Sequence, residues 1–292
     1  MPELYTHGLD DLLTMYRETC SWFSELGFEC AATRYGTYER HFTRFVSAAT
    51  SPDGTSIDME FKRAFDSAYL EANEIIRVYS DLKHFEKTQF LDQLKKVLSG
   101  QEFRAQTDND QARDFMFELS TAARFLRAGF PVTLSGVCDV VAELPQGRLF
   151  IECKRVKSPN RIAKNVKKAA EQIKSRMSKY LSKKSMGLIA INVTDLIDSP
   201  RYLAPDSPRA AAAVHRTLAN TFLANHLEEF KPRSTSNRML GVMIENSSMW
   251  YFSERCPVSG LAYTRHTNFI QLAQPEILGT LAPKLSNQDI VR

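Results

Sequence analysis

The chain has 292 residues, of which 43% are hydrophobic, 10% aromatic and 25% charged. This composition is typical of a globular protein with one large or two smaller domains, and it excludes a disordered tail. No apolar run approaches the roughly 18 residues of a membrane span, and the start Met1-Pro2-Glu3-Leu4 is unlike a signal peptide. We therefore expect a soluble, cytoplasmic protein with no membrane partner.

Helical patterns fill the first hundred residues. Apolar stripes predict one helix from Leu9 to about Phe23, a second over 60–78 and a third over 81–98, with a turn at 51–54. The polar run 106–110 then predicts a boundary. We expect an all-helical domain over 1–105, which serves in dimerisation, regulation or partner docking, or simply as a buttress for the rest of the chain.

The remaining residues, 106–292, show the alternation of an α/β domain. The pattern predicts a helix over 114–128 ended by Gly129, and strands over 131–134, 137–144 and 148–156 with a hairpin turn at 145–147. A basic helix over 161–183, capped by Ser158 or Asn160, precedes a strand over 187–193, a helix over 209–230 and a strand over 240–245. The last forty residues show no readable pattern. The predicted class is α/β, a mixed sheet flanked by helices.

Cysteine and histidine are too scattered to form a recognised metal or disulfide framework. There is no Cys-x-x-Cys pair and no His-x-x-x-His pair, and the number of cysteines is odd; they are Cys20, Cys30, Cys138, Cys153 and Cys256. We expect neither a disulfide scaffold nor a structural zinc site.

Positive charge is concentrated in one segment. The net charge is +4, but residues 154–184 alone contain twelve Lys/Arg and one Asp/Glu, a balance of +11. Such a segment beside an otherwise acidic body indicates a polyanionic partner, although many charged helix faces bind nothing.

Three charged residues fall in the predicted β-hairpin. Strand alternation places Glu152 and Lys154 on one face, with Cys153 on the other, and Asp139 lies among apolar residues of the preceding strand. Burying carboxylates costs several kcal/mol unless a partner compensates. A divalent metal beside Lys154 is one such partner. The alternative is a structural ion pair with Lys154 or Arg155.

The pattern of Asp139 followed by Glu152-Cys153-Lys154 resembles the PD-(D/E)XK nuclease superfamily, over about residues 110–250. Glu118, on the preceding helix, resembles the further acidic residue of many members, and Gln172 resembles a glutamine that some branches place near the site. Two residues depart from the pattern: Cys138 replaces the proline, and Arg176 stands where the branch with that glutamine has tyrosine.

This resemblance implies a restriction-endonuclease-like core and a Mg²⁺-dependent deoxyribonuclease, an endonuclease of restriction or defence, in which Mn²⁺ substitutes for Mg²⁺. It implies that Asp139, Glu152 and the Cys153 backbone carbonyl hold the metal, and that Glu118 holds a second metal or its water. Lys154 would activate water and stabilise negative charge. The expected phosphate contacts are Arg155, Lys157, Arg161, Lys164, Lys167 and Lys168.

Two other functions compete with DNA cleavage. One is a nucleic-acid-binding or regulatory protein on the same fold that does not cut, whose binding ignores Mg²⁺ and survives loss of Lys154. The other is RNA as the substrate. The Cys153 side chain is expected in the core, and Tyr180 is expected to pack rather than to stack on a base.

Overall fold

The structure is a computed structural model that describes residues 9–50, 58–102, 110–134, 136, 138–180, 184–197, 206–233, 236–252 and 261–288. Within these ranges the chain forms eight α-helices and one mixed six-stranded sheet. The predicted α/β class is confirmed. No helix in these ranges is long and apolar enough to cross a membrane.

Four helices make up the N-terminal part: α1 (Leu9–Glu25), α2 (Arg34–Thr50), α3 (Met59–Leu82) and α4 (Leu91–Leu98). The two predicted helices at 9–23 and 60–78 correspond to α1 and α3. Helix α2 is not among the predicted helices, although its aromatic side chains recur at helical spacing and are all buried: Tyr35, Tyr38, Phe42 and Phe45.

The predicted third helix, over 81–98, is wrong in its first half. Helix α3 continues through Leu82, and the chain then turns before α4 starts at Leu91. The Glu86 carboxylate accepts hydrogen bonds from the N–H and hydroxyl of Thr88 and so caps a short 3₁₀ turn. This local capping outweighs the helical spacing of the apolar residues.

The sheet runs β1 (Val132–Thr133), β2 (Val140–Leu144), β3 (Gly147–Arg155), β4 (Met186–Asn192), β5 (Met239–Tyr251) and β6 (Leu261–Gln271), in that spatial order. Strands β1, β2 and β3 are antiparallel, β3, β4 and β5 are parallel, and β6 returns antiparallel to β5. The helices between and after them are α5 (Gln111–Arg127), α6 (Ile162–Lys179), α7 (Pro208–Asn225) and α8 (Pro275–Ser286).

Several predicted boundaries need correction. Helix α5 begins at Gln111 because the Asp110 carboxylate accepts from the Arg113 N–H, whereas its predicted end at Gly129 is confirmed by a φ of +84° there. Neither Ser158 nor Asn160 caps α6: a 3₁₀ turn, Pro159–Arg161, intervenes and the Ser158 side chain makes no capping bond.

The C-terminal quarter also differs from expectation. Helix α7 ends at Asn225 rather than at 230, and β5 continues to Tyr251 rather than ending at 245. The last forty residues, which had no readable pattern, contain β6 and α8.

Two hydrophobic layers cover the sheet. The first layer is a single cluster in which the aromatic side chains of α1–α3 pack with α5, with α8 and with the sheet face that carries Ile151 and Cys153. The second layer packs α6 on the opposite sheet face, which carries Phe150 and Ile189. The Tyr251 hydroxyl of β5 also donates a hydrogen bond to Asp66 of α3. This packing favours the buttress interpretation of the N-terminal helices. The predicted boundary near 105 lies outside the described residues and stays a prediction.

Candidate active site

Asp139 lies immediately before β2 and is tied to β3. The sequence analysis placed it within the strand, but β2 begins at Val140, whose partner on β3 is Ile151. Beyond that pair the Asp139 Oδ2 accepts a hydrogen bond of 2.8 Å from the Cys153 N–H. A side-chain carboxylate thus continues the strand pairing where the backbone ladder ends.

Lys154 stands between the two predicted carboxylates. Its Nζ lies 3.5 Å from Asp139 Oδ2 and 3.3 Å from Glu152 Oε2. The Lys154 and Asp139 side chains remain 17% and 19% exposed, whereas Glu152 is fully buried. The structure therefore brings together the three residues of the sequence pattern at the carboxyl end of β3.

Arg176 of α6 completes this cluster and was missed as a site residue. Its Nε lies 2.5 Å from Glu152 Oε1, an ion pair whose N–H is not aligned for a hydrogen bond. Glu152 therefore has a cation at each oxygen. The available signal was its helical spacing, since Arg176 follows Gln172 by four residues and so shares its side of the helix.

Burial and neighbouring charges perturb the acids and the lysine together. Burial, followed by the charge of Asp139, raises the pKa of Glu152 against the opposing effect of Lys154 and Arg176. Burial works against the Lys154 ammonium, but the charges of Asp139 and Glu152 outweigh it and raise the pKa of Lys154. Lys154 is therefore protonated at neutral pH.

Glu118 approaches this cluster from α5 on the other side of β3. Burial, with a smaller contribution from the Asp139 charge, raises the pKa of Glu118 to about 8. At pH 7 its carboxyl group is therefore mostly protonated and can donate a hydrogen bond. A strongly perturbed acid beside other charged groups is typical of functional sites.

Cys153 behaves as a small core residue, as expected. Its side chain is 6% exposed, and burial raises the pKa of its thiol well above the ordinary value, which disfavours a nucleophilic thiolate. The Cys153 N–H donates to Asp139. In a β-strand the N–H and C=O groups of the same residue point toward the same neighbouring strand. The Cys153 carbonyl is therefore directed toward the Asp139 side, as the predicted ligand role requires.

Gln172 presents a buried oxygen without a hydrogen bond. Its Oε1 has no partner among the described residues, although the side chain as a whole is half-buried. Helix α6 runs antiparallel to β3, and its Arg176 lies beside Glu152. Gln172 is one helical turn from Arg176, on the side of the carboxyl end of β3, where Lys154 lies. This placement agrees with a role near the site.

Arg155 is not available as a phosphate contact. Its side chain is 3% exposed and lies 2.6 Å from Asp195, 3.5 Å from Asp110 and 3.6 Å from Asp114. It ties the end of β3 to the first turn of α5 and to the loop after β4. Lys157, 26% exposed, lies 4.0 Å from Asp110. These contacts argue against the predicted nucleic-acid role of Arg155 and assign it to positioning.

The remaining basic residues occupy two sides of α6. At about 100° per residue, one polar row follows the helix at spacings of three and four residues; it consists of Asn165, Lys168, Gln172, Arg176 and Lys179, preceded by Arg161 in the 3₁₀ turn before α6. We call it the site-side row, because Arg176 contacts Glu152. Lys167 and Lys174 point roughly 140–160° away from the centre of this row, with Lys164 between the two sides. All the lysines of α6 are exposed.

The donors present meet the modest demands of Mg²⁺ but do not form a closed cage. Among the described residues, no three His, Cys, Asp or Glu side chains are grouped to hold a metal ion. Mg²⁺, however, commonly takes one or two carboxylates and keeps its waters, which Asp139 and Glu152 can satisfy. Gln172 Oε1 is a buried oxygen without a hydrogen bond among the described residues, whereas Glu152 Oε1 lies 2.5 Å from Arg176 Nε, so a metal ion at that oxygen would have to displace the guanidinium.

Searches of protein-family models, of curated proteins and of solved structures found no match to this chain. The interpretation of the site therefore depends on its own geometry and chemistry.

Proposed function

We propose that the protein is a metal-dependent nuclease that hydrolyses DNA phosphodiester bonds on a restriction-endonuclease-like core. The main support is the meeting of Asp139, Glu152 and Lys154 at one end of β3, with Lys154 Nζ within 3.5 Å of both carboxylates. A basic helix begins a few residues later, and Arg161, immediately before it, and Lys168, within it, are both exposed. Acidic ligands, a protonated lysine and a phosphate-binding surface are the parts that such hydrolysis requires.

The side chains divide the work as follows. Asp139 and Glu152 would hold Mg²⁺, with the Cys153 carbonyl as a further oxygen donor, and the ion would supply Lewis-acid activation of the phosphate. Lys154, positively charged at neutral pH, would stabilise the negative charge that develops on the phosphoryl oxygens. Arg176 would hold Glu152 in place. Glu118, protonated at pH 7, would donate a hydrogen bond rather than act as a charged ligand for a second ion.

The test is cleavage of supercoiled plasmid, linear duplex, single-stranded DNA and RNA by the full chain, with Mg²⁺, Mn²⁺ or EDTA. Asp139→Asn and Lys154→Met preserve side-chain size while removing a metal ligand and a cation, respectively. Lys95→Met is the matched control, because Lys95 is an exposed lysine in α4. We expect Mg²⁺-dependent cleavage by the wild type and by Lys95→Met, and a loss of at least a hundredfold in both site variants. Equal cleavage by all four proteins would refute the proposed site.

A second candidate is a nucleic-acid-binding protein that does not cut. It is favoured by the ion pairs that Lys154 and Arg176 already make with Glu152, and by the lack of a three-residue metal cluster among the described residues. Under this hypothesis Lys154 is structural. Wild type, Asp139→Asn and Lys154→Met would then bind DNA equally in EDTA, and none would cleave it with any metal.

A further inference from the structure

The site-side row of α6 is an uninterrupted line of polar side chains along one side of the helix. From Arg161, in the 3₁₀ turn just before α6, its members continue to Lys179 at the end of the helix without an apolar residue, and Arg176 in this row reaches Glu152. The Asn165 side chain donates to the Arg161 carbonyl at 2.9 Å, so it turns back along the same row. The row therefore leads from the candidate active site along the surface of the protein.

The length of the row can be compared with a nucleic-acid backbone. At 1.5 Å per residue, Lys168 lies about 12 Å along the helix from Arg176, and Arg161 lies about 22 Å away. A strand of duplex carries one phosphate per about 3.4 Å of axis, so the row spans roughly six base pairs. Because each strand winds around the duplex axis, the two exposed cations Arg161 and Lys168, about 10 Å apart in this direction, suit phosphates about three steps apart on one strand.

The exposed surface also indicates which form of nucleic acid it fits. Proteins that hold single strands usually present exposed aromatic rings on which bases stack. Among the described residues the exposed large hydrophobic side chains are Met59 and Leu227, neither of them aromatic. Tyr180, at the end of α6, packs against Phe150 with ring centroids 5.1 Å apart and lies under Arg148. Among the described residues this surface offers charge for phosphates and no exposed aromatic ring on which bases could stack.

We propose that the site-side row of α6 is the binding track for one backbone of a double-helical nucleic acid, held by Arg161 and Lys168 and leading to Glu152 and Lys154. This inference deepens the proposed function, on which it rests for the position of the cut. It assigns Lys167 and Lys174, on the opposite flank of α6, to solvent, and thereby replaces the expectation that Lys167 contacts phosphate.

The helix supplies a charge-matched control for this proposal. Arg161→Ala/Lys168→Ala and Lys167→Ala/Lys174→Ala each remove two positive charges from exposed positions of the same segment. Binding of the full chain would be measured by fluorescence anisotropy in EDTA, between 50 and 250 mM salt. The probes are a 20-base-pair DNA duplex, the RNA duplex of the same sequence and the single DNA strand, and thermal melts would check that both variants are folded.

Each phosphate contact contributes close to one unit to the slope of log affinity against log salt. We expect the Arg161/Lys168 variant to lower this slope by about two for duplex and to bind at least tenfold more weakly at 150 mM salt, with a change of less than half a unit for the Lys167/Lys174 variant. We expect tighter binding of a duplex than of the single strand, and the duplex that binds more tightly identifies whether the row holds DNA or RNA. Equal losses in the two variants, tighter binding of the single strand, or no binding at all would overturn the proposal.

Cleavage by the same variants separates this inference from the proposed function. If the wild type cuts DNA with Mg²⁺ but both double variants bind and cut alike, the track is wrong and the nuclease stands. If the wild type never cuts but the row variant alone loses affinity, the track is right and the nuclease is wrong.

Discussion

Glu118 provides the sharpest physical test of the site as the structure describes it. Its ordinary pKa of 4.5 is raised to about 8, chiefly by burial beside Asp139. Between these values the folded protein keeps a proton that the unfolded chain has lost. Stability therefore falls as the pH rises from about 4.5 to 8, and this contribution is constant above and below that window.

The size of the effect follows from the width of the window. At about 1.4 kcal/mol per pH unit, the interval from 4.5 to about 8 corresponds to roughly 5 kcal/mol as an upper limit. Because Glu118 keeps some contact with solvent, we expect about 2–5 kcal/mol. Glu118→Gln retains the shape of the protonated acid but cannot ionise. It should match the wild type near pH 5 and exceed its stability by this amount at pH 9.

Urea denaturation in EDTA, at intervals from pH 5 to 9, measures the difference directly. Glu171→Gln is the control, because Glu171 is exposed on α6 and its substitution should leave a small difference that does not vary with pH. If the Glu118→Gln and wild-type curves remain parallel across this range, Glu118 ionises normally. The close, buried packing of Glu118 against the carboxylate cluster would then be wrong.

Two arginines near the site should contribute to stability rather than to binding. Arg155→Met should cost about 1–3 kcal/mol in urea denaturation, because it removes a buried cation shared by Asp195, Asp110 and Asp114 while Asp110 keeps Arg113, whereas Arg161→Met on the surface should change stability by less than 0.5 kcal/mol. Arg176→Ala should cost about 1–3 kcal/mol by the same measurement, because Glu152 stays buried with Lys154 as its remaining cation, and Lys179→Ala in the same row should have little effect. A cost below 0.5 kcal/mol for either site arginine would contradict the corresponding ion pair.

The central strands were predictable because their sequences are nearly continuous apolar runs. Strand β4 is buried at every position, and β3 is buried over most of its length with polar residues near its ends. The hairpin turn at 145–147 marks the boundary between β2 and β3, and Gly129 marks the end of α5. Glu152 and Lys154 were accordingly placed on the correct strand, with Cys153 on its opposite face, and only the strand assignment of Asp139 was wrong.

The C-terminal half of β5 was missed because its buried residues are polar. Four consecutive side chains, Glu245 to Ser248, are each no more than 5% exposed. Their partners come from distant parts of the chain: Arg124 lies 3.0 Å from Glu245, and the Tyr263 hydroxyl lies 2.8 Å from Ser247. A hydropathy pattern cannot predict such burial, because tertiary hydrogen bonds and ion pairs make it affordable.

The same limitation applies to the basic segment. The sequence shows twelve cations between 154 and 184, but it does not show which of them turn inward. Arg155 turns to Asp195 and Arg176 to Glu152, so the two become part of the scaffold, while Lys168 remains exposed. Helical spacing could have grouped Arg176 with Gln172, but the acid that Arg176 meets lies on another element.

The ion pairs change the reason for invoking a metal. Burial of two carboxylates in strands suggested that a divalent cation was needed to compensate them, but Lys154 and Arg176 bring two positive charges to Asp139 and Glu152, and Glu118 is neutral at pH 7. The cost of burial is thus already offset within the protein. The metal hypothesis depends instead on Gln172 Oε1, which has no hydrogen bond among the described residues, and on the partial exposure of Asp139 and Lys154. Metal-dependent cleavage, rather than the energetics of burial, is therefore the observation that must decide between the enzyme and the binding protein.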